Sequence, residues 1–288
     1  MKTLRECIKE AEEKKVAIGH FNISNLEGLH AIYNAAKKLN VPVVIGVSEG
    51  EENFIGLEEV AVLVRTIRER DDYPIFLNAD HHHSFESVKK CIDAGFDSVI
   101  FDGAKLSFEE NVKITKQCVD YARSVIKNNG RDILVEAELG YIGEGSNIKE
   151  SIPEGAGILT KPEDAKKFVE LTGLDMFAPS VGSIHGVIRT GNPHIDANLV
   201  AEIKKATGVP LVLHGGSGLR DVDFTDAISA GISVVHISTE IRVAFVEGLK
   251  ESILKNKDEI VPYKILELAK EDVEEIVGER LKLFNNLK

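Results

Sequence analysis

Eight short apolar runs, each separated from the next by a stretch whose apolar residues recur three and four apart, dominate the chain from end to end. The runs are Val16–Gly19, Val43–Val47, Ile75–Leu77, Ser98–Phe101, Ile133–Glu136, Met176–Ala178, Leu211–Leu213 and Ser233–Ile237. Between and after them the helical spacing covers Leu26–Leu39, Leu57–Arg70, Phe85–Ala94, Phe108–Lys127, Pro162–Thr172, Leu199–Thr207, Asp223–Ala230 and Thr239–Lys255, with an amphipathic helix at about Thr3 to Lys14 ahead of the first run. Short, continuously apolar strands joined through helices imply a parallel sheet covered on both faces. Eight such units predict an α/β fold, a closed (β/α)8 barrel with an N-terminal helix and a C-terminal helical extension, one domain spanning 1–288. A doubly wound open sheet is the alternative, and in either architecture the functional face lies at the carboxyl ends of the strands.

Polar residues gather at those ends. Ile75-Phe76-Leu77-Asn78-Ala79-Asp80-His81-His82-His83, Pro179-Ser180-Val181-Gly182-Ser183-Ile184-His185-Gly186 and Pro210-Leu211-Val212-Leu213-His214-Gly215-Gly216-Ser217-Gly218 each run from an apolar stretch into histidine. Imidazoles delivered from the ends of separate parallel strands can converge on one metal ion, and neutral imidazole suits zinc with an open position for catalysis. His81, His185 and His214 are the candidate ligands, with Asp80 beside the first placed for proton transfer. His82 and His83 read as helix-start or supporting groups, and His20, His30 and His194 as ordinary polar residues. Asp102 and Glu138 also end strands and are candidates to hold a second metal or to orient the histidines, whereas Glu136 reads equally well as half of a structural ion pair. Gly215-Gly216-Ser217-Gly218 and Ser238-Thr239, the latter at a helix start, fall where barrels commonly bind phosphate through backbone amides. The long glycine-bearing connections Leu139–Thr160 and Pro179–Ile195 are expected to be lids or substrate-positioning segments, mobile without ligand.

A net charge of -12 excludes nucleic acid and anionic membrane as bulk partners, because no basic excess exists to neutralise phosphates. A small anionic substrate is still compatible with it. No secretory signal pattern and no membrane-length apolar stretch occurs, so the chain reads as cytoplasmic. Cys7, Cys91 and Cys118 are widely separated and read as buried, reduced thiols.

The order Asp80-His81, Val135-Glu136-Ala137-Glu138-Leu139-Gly140, His185-Gly186, His214-Gly215-Gly216-Ser217-Gly218 and Thr239 followed by Ala244-Phe245 resembles the class II, metal-dependent ketose-bisphosphate aldolases, which include fructose- and tagatose-bisphosphate aldolases. Gly19-His20-Phe21-Asn22, Val47-Ser48-Glu49-Gly50 and Phe108-Glu109-Glu110-Asn111 extend the likeness over nearly the whole chain. The resemblance implies zinc on His81, His185 and His214, proton transfer at the C4 hydroxyl by Asp80, and a second, alternative metal position at Asp102 and Glu138. It implies a cradle for the ketose 1-phosphate at Gly186, Gly215, Gly216, Ser217, Ser238 and Thr239, a substrate contact at Ser48, and a homodimer or homotetramer. The implied reaction is reversible cleavage of a ketose 1,6-bisphosphate, fructose 1,6-bisphosphate first, into dihydroxyacetone phosphate and glyceraldehyde 3-phosphate. Two stretches depart from the family pattern. Gly143-Glu144-Gly145-Ser146 replaces Gly-Gly-x-Glu-Asp, leaving Glu144 as the candidate loop carboxylate. His236-Ile237-Ser238-Thr239 replaces Asn-x-Asn/Asp-Thr, leaving His236 as the candidate donor to the enediolate oxygen. A metal-dependent hydrolase and a non-catalytic sugar-phosphate-binding protein are the competing readings.

Overall fold

The structure is a computed structural model that describes all residues except 1, 144, 153–157 and 192. Ten strands and twelve helices are described: β1 (Ile18–Asn22), β2 (Val43–Ser48), β3 (Ile75–His82), β4 (Ser98–Phe101), β5 (Leu134–Leu139), β6 (Ile148–Ser151), β7 (Met176–Pro179), β8 (Val187–Thr190), β9 (Leu211–Leu213) and β10 (Ile232–Ile237), with α1 (Leu4–Lys14), α2 (Leu26–Leu39), α3 (Glu49–Ile55), α4 (Leu57–Asp71), α5 (Phe85–Ala94), α6 (Phe108–Asn129), α7 (Pro162–Thr172), α8 (Ala197–Thr207), α9 (Asp221–Ala230), α10 (Thr239–Lys255), α11 (Pro262–Ile265) and α12 (Glu267–Phe284). Eight strands close a parallel barrel in the order β1-β10-β9-β7-β5-β4-β3-β2, each beside its predecessor in the chain. All eight expected strands are therefore present, and the open-sheet alternative is ruled out. The first runs Ile18–Asn22 where Val16–Gly19 was expected, because the backbone continues extended through the polar Asn22.

Side chains alternate across the pleat, and the two sets differ in character. One set, including Phe21, Val43, Ile45, Leu77, Val99, Val135, Phe177, Leu213 and Val235, packs outward beneath the helices. The inward set begins apolar at the amino ends, where Ile18, Val44, Phe76, Leu134, Met176, Val212 and Val234 meet Leu4, Cys7, Ile8 and Ala11 of α1. That helix plugs the bottom of the barrel, its start fixed by a capping box between Thr3 and Glu6. Two residues further along five of these strands the inward positions turn polar, giving His20, Asn78, Glu136, His214 and His236, whereas β2 and β7 have Gly46 and Ala178 there; Asn22, Asp80 and Glu138 follow, all buried. The strands thus carry a sealed apolar base and a polar mouth.

The C-terminal extension completes the ring. Ala269, Val273, Val277, Leu281 and Phe284 of α12 are buried, and the Phe284 carbonyl accepts from the Ala17 amide at 3.0 Å. The two long connections expected as lids or substrate-positioning segments also contain structure that their composition did not announce. Their segments β6 and β8 pair in parallel as a separate two-stranded sheet, with Ile148 opposite Val187.

Candidate active site

The carboxyl end of β3 sets the geometry. Its pairing with β4 slips between Ala79 and His82, and His81 has a φ of 51°, a left-handed conformation that non-glycine residues seldom adopt. Strict alternation would send Asp80 and His81 to opposite faces; the bulge turns both toward the mouth. His82 points the other way, fully buried near Cys91 and Glu52.

His81, His185 and His214 converge as expected, and Glu138 joins them: one ligand atom from each of the four lies within 4.8 Å of the others. The ring nitrogens turned away from this centre are held by carboxylates. His81 Nδ1 lies 2.9 Å from Asp102 Oδ2, and His214 Nε2 lies 2.7 Å from Glu136 Oε1. His81 Nε2 and His214 Nδ1 lie 3.0 Å apart on the side of the centre. Glu138 Oε2 and His185 Nε2 are buried without a hydrogen-bond partner among the described residues. Two imidazole nitrogens 3.0 Å apart, a carboxylate oxygen and an orphaned imidazole nitrogen at one point form a donor set that fits a divalent cation.

The electrostatics agree. Burial opposes a charge on His81, yet Asp80 and Asp102 hold its imidazolium up to about 10, a field that calls for a positive charge. Burial, aided by the His81 charge, lowers His214 to about 3 and His185 well below the ordinary histidine range, so both are neutral, the form that ligates metal. Burial pushes Glu136 up to about 7, and burial together with Asp102 raises Glu138. Asp102 stands behind His81 and outside the converging group, its second oxygen accepting from the Ala104 amide at 3.0 Å. Its two bonds fix the orientation of the His81 ring.

Asp80 is buried, with Oδ2 accepting from Asn22 Nδ2 at 2.8 Å and Oδ1 3.4 Å from His236 Nδ1. Burial would raise its pKa, but the His81 charge first, and then the hydrogen-bonding capacity of His236, outweigh burial and hold it well below the ordinary carboxylate range. His236 is partnered across the β1–β10 ladder by His20, and the two rings stack 3.4 Å apart and nearly parallel. The other face of the network is His214, 4.2 Å from His236. His20 is therefore part of the site's supporting structure, which corrects its reading as an ordinary polar residue. His20 Nε2 lies 3.0 Å from Asn78 Oδ1. His194, by contrast, is paired with Asp223 at 2.6 Å and lines neither of the cavities that contain Asp80 and His81.

Gly186, Gly215, Gly216, Ser217, Ser238 and Thr239 line one small pocket together with Asp80, His81 and His185. Gly215 has a φ of 65°, and a Cβ there would lie 2.6 Å from the Ile184 carbonyl carbon. The Ser217 hydroxyl accepts from the Glu240 amide at 3.2 Å in the first turn of α10. The cradle is thus built from close backbone and a helix start, the arrangement suited to an anion. Ser48 lines a larger adjoining cavity of about 590 Å3 with Asn22, Asp102, Lys105, Glu138 and Arg242. Glu144 lies outside the described residues.

Sequence reasoning passed over Glu51 and Arg242. Glu51 is a buried hub that accepts from Asn22 Nδ2 at 2.9 Å, from the Ser48 amide and hydroxyl at 2.9 Å each, and from Arg242 at 2.7 Å. Its only sequence signal is the capping box Ser48-x-x-Glu51, which reads as a helix start.

A closed parallel barrel with converging ionisable groups and an anion cradle at the carboxyl ends of its strands is a barrel enzyme. Residues 2–288 match the family described as "Fructose-bisphosphate aldolase class-II", and the chain belongs to that family of metal-dependent lyases. It is 36% identical over 287 residues to the fructose-bisphosphate aldolase of Geobacillus stearothermophilus, covering 99% of this chain and 96% of that one. It is also 36% identical to the probable fructose-bisphosphate aldolase of Bacillus subtilis, covering 99% and 97%. Among solved structures, the YdjI aldolase from Escherichia coli K12 aligns with a TM-score of 0.82 and 32% identity over 98% of this chain and 96% of that chain. No helix among the described residues is long and apolar enough to cross a membrane.

Proposed function

We propose that this chain catalyses reversible aldol cleavage of fructose 1,6-bisphosphate to dihydroxyacetone phosphate and glyceraldehyde 3-phosphate, with zinc held by His81, His185 and His214. The observation that carries the reading is the meeting of those three imidazoles with Glu138 at one point, beside both Asp80 and the glycine-lined cradle. When bound, the ion would supply Lewis acidity toward the C2 carbonyl. Asp80 takes the proton from the C4 hydroxyl as the C3–C4 bond breaks, and the bonding pair passes to the C2–C3 fragment. Asn22 holds that carboxylate in place, with His236 Nδ1 3.4 Å from its other oxygen. The His236 ring N–H also serves the oxygen that gains charge in the three-carbon fragment. Glu144 exchanges the proton at C3 of that fragment. Backbone amides around Gly186, Gly215 and Gly216, with the Ser217, Ser238 and Thr239 hydroxyls, bind the 1-phosphate, and Ser48 contacts the other end of the substrate.

Glu138 completes the ligand group or contributes to a second divalent position. Asp102 would join that position only by releasing His81 Nδ1 and the Ala104 amide, so orientation of His81 is the role its bonds support. The reading includes one domain over 1–288, a cytoplasmic location and a homodimer or homotetramer, the last supported by exposed Val246, Ile253, Leu254, Ile260 and Tyr263 on and after α10.

The test is triose-phosphate release from fructose and tagatose 1,6-bisphosphates and from ketose 1-phosphates, with and without zinc. Fructose 1,6-bisphosphate should give the highest kcat/KM. Faster cleavage of the tagatose epimer would move the substrate assignment, and cleavage of none, with binding retained, would favour a sugar-phosphate-binding protein.

A further inference from the structure

We propose that Glu52, His82 and Cys91 form a further metal site, separate from the reacting centre, that takes zinc or a similar divalent cation. The three residues come from different elements, Glu52 from α3, His82 from the end of β3 and Cys91 from α5. One ligand atom from each lies within 4.8 Å of the others. His82 leaves β3 on the side opposite His81, so the group stands behind the barrel wall and shares no residue with the four that meet at the mouth.

The spacing suits an ion. His82 Nε2 lies 3.4 Å from Glu52 Oε2, the Cys91 sulfur lies 3.4 Å from the same oxygen, and the sulfur lies 3.7 Å from His82 Nε2. Around a tetrahedral zinc, with bonds of about 2.3 Å to sulfur and about 2.0 to 2.1 Å to nitrogen and oxygen, ligand atoms stand roughly 3.3 to 3.6 Å apart. The observed separations fall in or just above that range. Nε2 is the ligating nitrogen, because Glu52 faces it while Glu49 faces Nδ1 at 3.8 Å. A carboxylate behind the far nitrogen is the usual support of a metal-bound histidine.

Burial and charge point the same way. His82 and Cys91 are both fully buried, yet among the described residues the only hydrogen-bond contacts of this imidazole are weak ones to the Cys91 sulfur, at 3.7 and 3.8 Å. Buried polar groups are normally well bonded, so these ring nitrogens call for a partner. A thiolate, a carboxylate and a neutral imidazole together balance a divalent charge, and such a donor set suits zinc or cobalt over magnesium or calcium. Burial, and then the Glu52 charge, favour the protonated thiol. Ligation therefore exchanges the S–H bond for a sulfur–metal bond and releases one proton to solvent. That exchange makes this the weaker site, filled from added metal while the histidine centre keeps its ion through purification. The Glu52 side chain is 17% exposed, which gives the ion an entry and leaves a fourth position to water. Once filled, the site ties α3 and α5 to the strand end that presents Asp80 and His81.

The probe is cobalt(II), added to protein that already carries one equivalent of zinc. Thiolate-to-cobalt charge transfer absorbs in the near ultraviolet, and the histidine centre has no thiolate to contribute. Wild type should take up one further equivalent with this band and show a higher Tm, since an ion bound by the folded state stabilises it. Cys91→Ser should lose the band, the extra equivalent and the rise in Tm. Glu52→Gln, at a partly exposed position and with folding checked by circular dichroism, should weaken uptake about tenfold or more, at least the effect of losing an outer partner. No further equivalent in wild type, or uptake without the band, would overturn the proposal. So would a band that persists in Cys91→Ser or uptake undiminished in Glu52→Gln. If the histidine centre holds no zinc, cobalt enters it too, and the thiolate band still reports on this site alone, so the outcome is independent of the aldolase reading.

Discussion

Replacing Gly46 with alanine should damage the active site without touching any residue that meets substrate. Gly46 lies on β2 beside Asn22 of β1, and a Cβ built on it would sit 2.5 Å from His20 Nε2 and closer still to Cε1. Carbon atoms settle at about 3.5 to 4.0 Å, so the imidazole would have to retreat by about 1 Å or more. It has little room, because its face is already stacked 3.4 Å from His236 and its Nε2 is bonded to Asn78. Overpacking of this kind costs about 1 to 3 kcal/mol. A shift transmitted to His236 displaces the partner of Asp80, and misplacement by about 1 Å can lower turnover by about 10²-fold. Denaturant unfolding and steady-state cleavage of Gly46→Ala measure the two effects. Adding His20→Ala should restore part of the lost stability, with a coupling of about 0.5 to 3 kcal/mol. Wild-type stability and turnover in Gly46→Ala, or strictly additive losses in the double variant, would refute the packed-wedge account of His20.

Asp80→Asn should keep metal and fold while turnover falls about 10²- to 10⁴-fold; loss of stoichiometric metal would instead make Asp80 a support of the ligand group. His236→Asn should stay active and His236→Ala lose about 10²-fold, whereas full turnover in the alanine variant with unchanged metal content would remove His236 from catalysis. Burial raises the Cys7 thiol to about 11 and Cys118 to about 12, and Cys91 is raised further. All three should resist thiol reagents in the folded protein and react on unfolding; rapid labelling of the native state would contradict their placement.

The fold was legible because its code is local and repeated. Runs such as Val43–Val47 and Leu211–Leu213 are apolar on both faces, and helices such as Leu26–Leu39 carry their caps with them. The pair β6 and β8 was not legible, because Ile148-Lys149-Glu150-Ser151 has no apolar run and is mostly exposed. The three histidines stood out because each ends an apolar run. How His81 reaches the mouth did not, since the bulge at Asp80–His81 depends on pairing with β4. The residues missed were those whose meaning comes from a distant partner. Glu51 and Arg242 are 191 positions apart and meet at 2.7 Å, and His20 becomes part of the site only when barrel closure brings β1 beside β10.

The most direct measurement of the central claim is triose-phosphate release from fructose 1,6-bisphosphate by the purified protein before metal removal, after it, and after zinc is restored. The account predicts one equivalent of metal, cleavage abolished by chelation and recovered with zinc, and loss of both metal and cleavage in His81→Ala, His185→Ala and His214→Ala. Undiminished cleavage by metal-free protein, or capture of substrate on a lysine by borohydride, would contradict it.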